Sequence, residues 1–167
     1  MKIKIINLST NELPKYETNG SAAMDIRVDL SRTTPHNPIK AYGDAEVIWT
    51  SHNKPLVRIA SMGRVLLPTG LLVDIPEGYQ MSLRPRSGLS IKQGISLCNA
   101  VGLIDSDYKN LEIFVPVINL GTEDVFIEHG ERVCQALLEP VYRIEWEQVD
   151  SLNNTDRTGG FGSTGIN

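Results

Sequence analysis

Apolar and polar side chains alternate with period two along much of this chain. Met24, Ile26, Val28 and Leu30 alternate with Asp25, Arg27 and Asp29, and Tyr79, Met81 and Leu83 alternate with Gln80, Ser82 and Arg84. Near the end, Tyr142, Ile144 and Trp146 alternate with Arg143, Glu145 and Glu147. Such alternation puts one set of side chains on each face of an extended strand. Shorter apolar runs lie at 45–49, 64–67, 71–75, 95–98, 111–119 and 132–139. Turn-forming stretches separate them: Leu-Pro-Thr-Gly at 67–70, Pro-Glu-Gly at 76–78, Leu-Gly-Thr-Glu-Asp at 120–124 and His-Gly-Glu at 129–131. Only 86–93 could hold a helix, of one or two turns. The pattern predicts an all-β, jelly-roll-like sandwich or barrel with at most one short helix.

Three places depart from that regularity. Pro116 interrupts Ile-Phe-Val-Pro-Val-Ile, which predicts an edge strand or a bulge, because proline has no N–H for a ladder. The stretch 33–63 is looser and more polar, with Pro35, Pro38, Gly43 and Pro55, and is expected to add a peripheral hairpin or long loop. Beyond residue 152 the apolar period stops. The tail has four glycines and one aromatic between Asn153 and Gly165, too little to order itself alone. The expected organisation is therefore one β domain over 1–152 and a flexible glycine-rich segment over 153–167.

The 167 residues suit a single domain, and 41% apolar content is enough to bury a core. A net charge of −4 gives no reason to expect direct nucleic-acid binding, although a few placed arginines could still hold a small polyanion. Cys98 and Cys134 each sit in an apolar run without a Cys-x-x-Cys spacing, which predicts buried free thiols in a reducing compartment. The opening Met-Lys-Ile-Lys-Ile-Ile is too short and too alternating for a signal peptide, and no run reaches the length of a membrane span. A cytoplasmic location is expected. His36, His52 and His129 fall in turns or polar loops and are expected to be solvated.

The densest chemistry is Asn99-Ala-Val-Gly-Leu-Ile-Asp-Ser-Asp-Tyr108: an amide, a glycine, two carboxylates and a phenol between apolar runs. Such a cluster reads as a hairpin whose backbone can line the edge of a flat heterocycle, while an ionised aspartate polarises a water. Arg84-Pro-Arg-Ser-Gly-Leu-Ser90 follows a predicted strand and could grip an anion through Arg86, Ser87 and the backbone near Gly88. Gly130-Glu-Arg-Val-Cys-Gln135 sets an amide at the start of a strand, and Ser21-Ala-Ala-Met-Asp25 brings up a carboxylate. Arg157, the hydroxyls and the N–H groups of the tail would suit phosphates, and Phe161 an aromatic base.

In this order the islands resemble the trimeric dUTPase family, over nearly the whole of 21–165. Pro-Arg-Ser-Gly-Leu at 85–89, Gly-Leu-Ile-Asp-Ser-Asp-Tyr at 102–108, Gly-Glu-Arg-Val-x-Gln at 130–135 and Gly-Gly-Phe-Gly-Ser-Thr-Gly at 159–165 match its second to fifth motifs; 21–29 matches the first more loosely. The resemblance implies hydrolysis of dUTP to dUMP and pyrophosphate by water attack at the α-phosphorus, with Asp105 activating the water. It implies that Asn99, Gly102, Leu103 and Ile104 read the uracil, that Tyr108 packs on the deoxyribose, and that Phe161 stacks on the base. Arg86, Ser87, Gly88 and Gln135 would hold the phosphates, and Arg157, Gly162, Ser163 and Thr164 would close over them. Mg²⁺ would be held by triphosphate oxygens and waters, with no direct protein ligand and with Asp25 ordering those waters. The family implies a homotrimer with sites at subunit interfaces.

The chain departs from the family pattern in three places. Asn110 stands where glycine is usual, and asparagine is among the side chains that tolerate a left-handed turn. Met24 replaces a common aromatic or leucine, and the Arg157–Phe161 spacing is one residue short, which shifts the reach of Arg157. Two other readings stay open: a regulatory, partner-binding protein on this scaffold with 33–63 as its arm, and a dCTP deaminase, against which the intact Asp-Ser-Asp-Tyr argues.

Overall fold

The computed structural model describes residues 1–34 and 36–156. Its elements follow the alternation. One antiparallel sheet runs β10 (Gly102–Ile104), β8 (Tyr79–Pro85), β13 (Arg132–Pro140) and β2 (Met24–Arg27), in that order. A second runs β3 (Lys40–Tyr42), β6 (Arg64–Pro68), β11 (Phe114–Asn119) and β9 (Ile95–Leu97). A third joins β12 (Val125–Ile127), β5 (Pro55–Ile59) and β4 (Ala45–Trp49), and β1 (Lys4–Asn7) pairs with β7 (Leu71–Asp74). One strip of each sheet turns inward, so Val28, Leu30, Val57, Ile59, Leu67, Ile75, Leu83, Val115 and Val117 share a single core. The all-β expectation holds, and so does the short helix: α1 spans Ser87–Gln93. Gly94 ends it at φ +71, where an added Cβ would lie 2.4 Å from the Gly121 nitrogen.

Several expectations change. Residues 33–63 supply β3 and the β4–β5 hairpin, and β5 carries fully buried Val57 and Ile59. Pro116 is not on an edge strand, because β11 has β6 on one side and β9 on the other. The last β9 pair is Val117 with Leu97, and the Pro116 carbonyl accepts the Cys98 N–H at 2.8 Å. The missing N–H therefore faces the Cys98 carbonyl at the very end of β9, so only the last bond of the ladder is lost. Cys134 is buried as expected, but Cys98, just past the end of β9, is exposed. His129 is exposed as expected but also engaged: its Nδ1 accepts the Leu30 N–H at 3.0 Å, which leaves Nε2 to donate to Thr10 Oγ1 at 2.9 Å. Residues 141–150 alternate as predicted yet join no strand among the described residues, leaving Tyr142 and Trp146 nearly 90% exposed (88% and 89%). Among the described residues, no helix is long and apolar enough to cross a membrane.

Among the described residues, Asp29 is the one acidic side chain whose burial is complete. Burial alone would raise its carboxyl, but hydrogen bonds from Arg32 (2.7 Å), the Ser31 hydroxyl (2.5 Å) and the Ser31 N–H (3.0 Å) outweigh that and hold it below the ordinary 3.8. The stability it contributes is complete above that value and is lost as the pH falls through the lower folded value. Replacing Asp29 by alanine leaves Arg32 with Glu112 alone and removes the acceptor of the Ser31 N–H and hydroxyl, and should destabilise the fold by about 2 kcal/mol at neutral pH. As the pH falls below 3.8 the difference from wild type should shrink, which denaturant melts at stepped pH would measure.

Candidate functional site

The phosphate-gripping candidates meet on one face of the β10-β8-β13-β2 sheet. Asp25 of β2 lies opposite Gln135 of β13, and Gln135 lies opposite Arg84 of β8. A bulge in β13 makes this arrangement possible, since Arg132 pairs with Arg27 while Cys134 already pairs with Ile26. The extra residue, Val133, buries two successive side chains, Val133 and Cys134, and turns Arg132 and Gln135 to the same side. Strict alternation would have put them on opposite faces.

Arg86, just past β8 at the start of α1, reaches back to this row. Its Nε and Nη2 donate to the two Asp25 oxygens at 2.9 and 3.4 Å, and its Nη1 donates to the Arg132 carbonyl at 3.1 Å. Arg132 Nη1 donates to Asp25 Oδ2 at 3.1 Å. One carboxylate, 10% exposed, thus faces two guanidinium groups, and a second, Glu17, lies 4.0 Å from Arg132 Nη1 at the outer side of the cluster. Of the five N–H donors of Arg86, three are occupied and two are left for an anion. Ser87 and Gly88 are exposed beside it. Arg132 and its partner Asp25 form a pair that motif reading named but left without a role for the arginine; cross-strand register was needed to find it.

Cys134 lies beneath the row. Burial first, then the charge of Asp25, pushes its thiol up to about 12 despite the opposing pull of Arg86.

The second set of candidates sits elsewhere. β10 and β11 do not pair with each other, so 99–108 is not a two-stranded hairpin. β10 pairs with β8 alone, and the chain then turns through Asp105–Asn110 to join the other sheet, where Ile113 N–H bonds the Leu71 carbonyl at 2.8 Å. The outer edge of β10 is unpaired among the described residues and presents backbone N–H and C=O groups. Gly102 and Ile104 face inward and Leu103 outward, 56% exposed. A Cβ on Gly102 would come within 3.1 Å of the Leu83 side chain, so glycine lets this strand lie flat on β8. Asn99 is exposed at one end of β10, while Asp105 is exposed at the other. The Asp105 carboxylate has no hydrogen-bond or ion-pair partner among the described residues, and it borders an open cavity of about 520 Å³ shared with Glu77, Tyr79, Asp107 and Arg143. Its carbonyl accepts the Tyr108 N–H at 3.1 Å, closing the turn. Tyr108 is half-buried and packs on the core, and Asn110 takes the left-handed conformation its side chain tolerates, at φ +62.

Asp105 is not brought to Arg86 within one chain, although the Gly102 end of β10 lies nearer to it. Ile104 lies opposite Met81, and Arg86 is five residues further along the chain, just past β8, roughly 16 Å away at strand rise. The strands run antiparallel, so Asp105 continues away from Arg86. The tail candidates Arg157, Phe161, Gly162, Ser163 and Thr164 lie outside the described residues. Among the described residues there is no group of three or more His, Cys, Asp or Glu side chains that could hold a metal ion.

Comparison with known proteins agrees with the motif order. A family model described as dUTPase matches residues 50–165. A deoxyuridine 5'-triphosphate nucleotidohydrolase of Finegoldia magna is 48% identical over 166 residues, covering 99% of each chain. The crystal structure of a dUTPase from Streptococcus mutans, 28% identical, superposes with a TM-score of 0.63 over 87% of this chain and all of that one. A dUTPase of Staphylococcus aureus phage phi11, described with a structural Mg(II) ion, shares the fold at a TM-score of 0.69 and 18% identity, over 92% of this chain and 100% of that one.

The buried thiol under the phosphate-facing row gives a direct check on this geometry. A Cys98→Ser chain should stay unreactive toward an aromatic disulfide reagent at pH 8 and release one equivalent only on unfolding. Fast labelling of the native variant would mean that β13 does not cover Cys134.

Proposed function

The chain belongs to the dUTPase family, and from that premise we propose that it hydrolyses dUTP to dUMP and pyrophosphate at sites shared between copies of itself. One observation carries the shared-site reading: the activating carboxylate and the phosphate-facing arginine occupy opposite ends of the β8 ladder. A general base must lie within about 3 Å of the water it activates, directly or through one further water. A span of roughly 16 Å or more, fixed by strand pairing, does not close by side-chain motion.

In this reading the uracil lies along the free edge of β10. Backbone groups of Gly102, Leu103 and Ile104, with the Asn99 amide, match its donors and acceptors. A polar edge leaves buried partners unpaired when the wrong base enters, which rejects it by orders of magnitude. The ring of Tyr108 backs the deoxyribose. The Asp105 carboxylate accepts a proton from a water and aims it at the α-phosphorus. Arg86, Ser87, Gly88 and Gln135 of a neighbouring copy hold the phosphates, and the two free donors of Arg86 offset charge on the departing pyrophosphate. Arg157, Phe161, Gly162, Ser163 and Thr164 close the site, with Phe161 on the base.

A Mg²⁺ ion would come with the triphosphate and supply charge neutralisation at its oxygens. Asp25 suits its waters better than the ion itself, since both carboxylate oxygens already serve Arg86 and Arg132. The homotrimer is supported by 141–149, whose exposed Tyr142, Ile144 and Trp146 form an apolar stripe fit for burial on another copy. The cytoplasm, which keeps thiols reduced, suits the two free cysteines.

A nucleotide panel with pyrophosphate detection tests the reaction: dUTP should be cleaved in preference to dCTP, dTTP and UTP, faster with Mg²⁺. Asp105→Asn should bind dUTP yet turn over about 10³-fold more slowly; near-normal turnover would remove Asp105 from the chemistry. Light scattering at micromolar concentration should give three times the 18.5 kDa chain mass. Ending the chain after Asp156 should keep that mass but lower turnover by about 10²-fold or more, and a fully active truncated form would rule out the closing role.

A further inference from the structure

We propose that Glu112 is a positioning residue: anchored by Arg32 and buried Asp29, it fixes the tilt of Tyr108 and so sets the rejection of ribonucleotides. The inference rests on the placement of Tyr108 at the sugar and extends it to residues with no assigned role.

The Tyr108 hydroxyl donates to the backbone carbonyl of Glu112 at 3.2 Å. That carbonyl is held by what the side chain of Glu112 does. Glu112 Oε1 accepts the Gly70 N–H at 2.8 Å and Arg32 Nη2 at 2.5 Å. Arg32 in turn donates from Nε to Asp29 Oδ2 at 2.7 Å, and Asp29 is completely buried. The next residue is fastened too, for the Ile113 carbonyl accepts Thr69 Oγ1 at 2.6 Å. The exit of the 105–113 turn is therefore tied to the 69–71 segment, whereas Asp105, Asp107, Lys109, Asn110 and Leu111 are exposed.

The ring packs on the core but is not enclosed by it. Tyr108 stands in the wall of a cavity of about 390 Å³, together with Arg32, Asn37, Leu66, Glu112 and Phe114. A side chain beside open space has room to turn, so the hydroxyl bond decides where the ring lies. Exclusion of a 2′-hydroxyl is a matter of one oxygen atom, and a displacement of about 1 Å in a positioning group can change rates by about 10²-fold. A ring released from Glu112 would admit the hydroxyl it normally meets.

The test measures discrimination, not activity alone. The ratio of kcat/KM for dUTP to that for UTP is compared among wild type, Glu112→Ala, Glu112→Gln and Tyr108→Phe. Calorimetric binding of dUDP and UDP is measured alongside. Glu112→Ala and Tyr108→Phe should each lower the ratio about tenfold. Glu112→Gln, which keeps an acceptor for the Gly70 N–H, should recover most of it. The double variant should be no worse than the more affected single one, because both changes cut the same link. A lowered melting temperature with an unchanged ratio would show a purely structural role and overturn the proposal. So would Tyr108→Phe, the change least able to disturb folding, discriminating as well as wild type. A wild-type chain that binds dUDP and UDP equally would instead take Tyr108 away from the sugar, and the reading beneath the proposal would fall with it.

Discussion

Strand pairing along β8 constrains everything else in this protein. β8 is hydrogen-bonded to β10 on one side and β13 on the other, and both registers are fixed by which side chains must enter the core. Met81 and Leu83 point inward, so Ile104 and Gly102 must sit opposite them, and Asp105 is carried to the Tyr79 end of the strand. The same register sends Arg86 out at the other end, beside Gln135 and Asp25. A slip of one residue would expose Ile104 and Leu83, so the separation of Asp105 from Arg86 cannot drift. On the shared-site reading, chemistry that needs both takes them from different molecules.

The electrostatics of the phosphate-facing row follow from the same sheet. A chain of net charge −4 would repel a triphosphate on average, so attraction has to be local. The β13 bulge concentrates Arg132 next to Arg86, and two arginines this close would repel each other without Asp25 between them. Asp25 lets the pair exist side by side, with Glu17 4.0 Å from Arg132, while two N–H donors of Arg86 stay free for an anion. Half of the geometry is thus assembled before substrate arrives, which reduces the ordering that binding has to supply.

Period-two alternation made the all-β class and most strands legible, because a strand with one buried face needs that spacing. It fell short where the decisive fact lay across strands. Nothing local to Val133 marks it as a bulge, yet it decides that Arg132 and Gln135 face the same way. Pro116 reads as an edge signal in isolation; only the stopping point of β9 makes it tolerable in the middle of a sheet. β5 hides in a polar region because Arg58 and Lys54 flank Val57 and Ile59, and Arg58 turns out to spread over Asp44, Glu46 and Asp124. The motif islands named Asp105, Arg86 and Gln135 by order and spacing, but the distance between them is a property of register and could not be read from spacing. The link from Asp29 through Arg32 to Glu112 joins residues 80 apart in sequence and leaves no local signature.

Assembly and substrate grip also share one strand. β13 carries Gln135 and Cys134 at its start, runs alongside β8 to Pro140 opposite Tyr79, and releases the chain after the Val141 N–H bonds the Gly78 carbonyl at 2.8 Å. From there Tyr142, Ile144 and Trp146 stand away from their own core. Aromatic side chains of this size each bury roughly 150–250 Å² when covered, too much apolar area to leave in water without cost. The strand that carries Gln135 therefore also launches this exposed apolar stripe, and it does so at the end where Asp105 stands. On the shared-site reading, a copy docking on this arm would be held by the same ladder that places Asp105, which would make association and completion of the site one event.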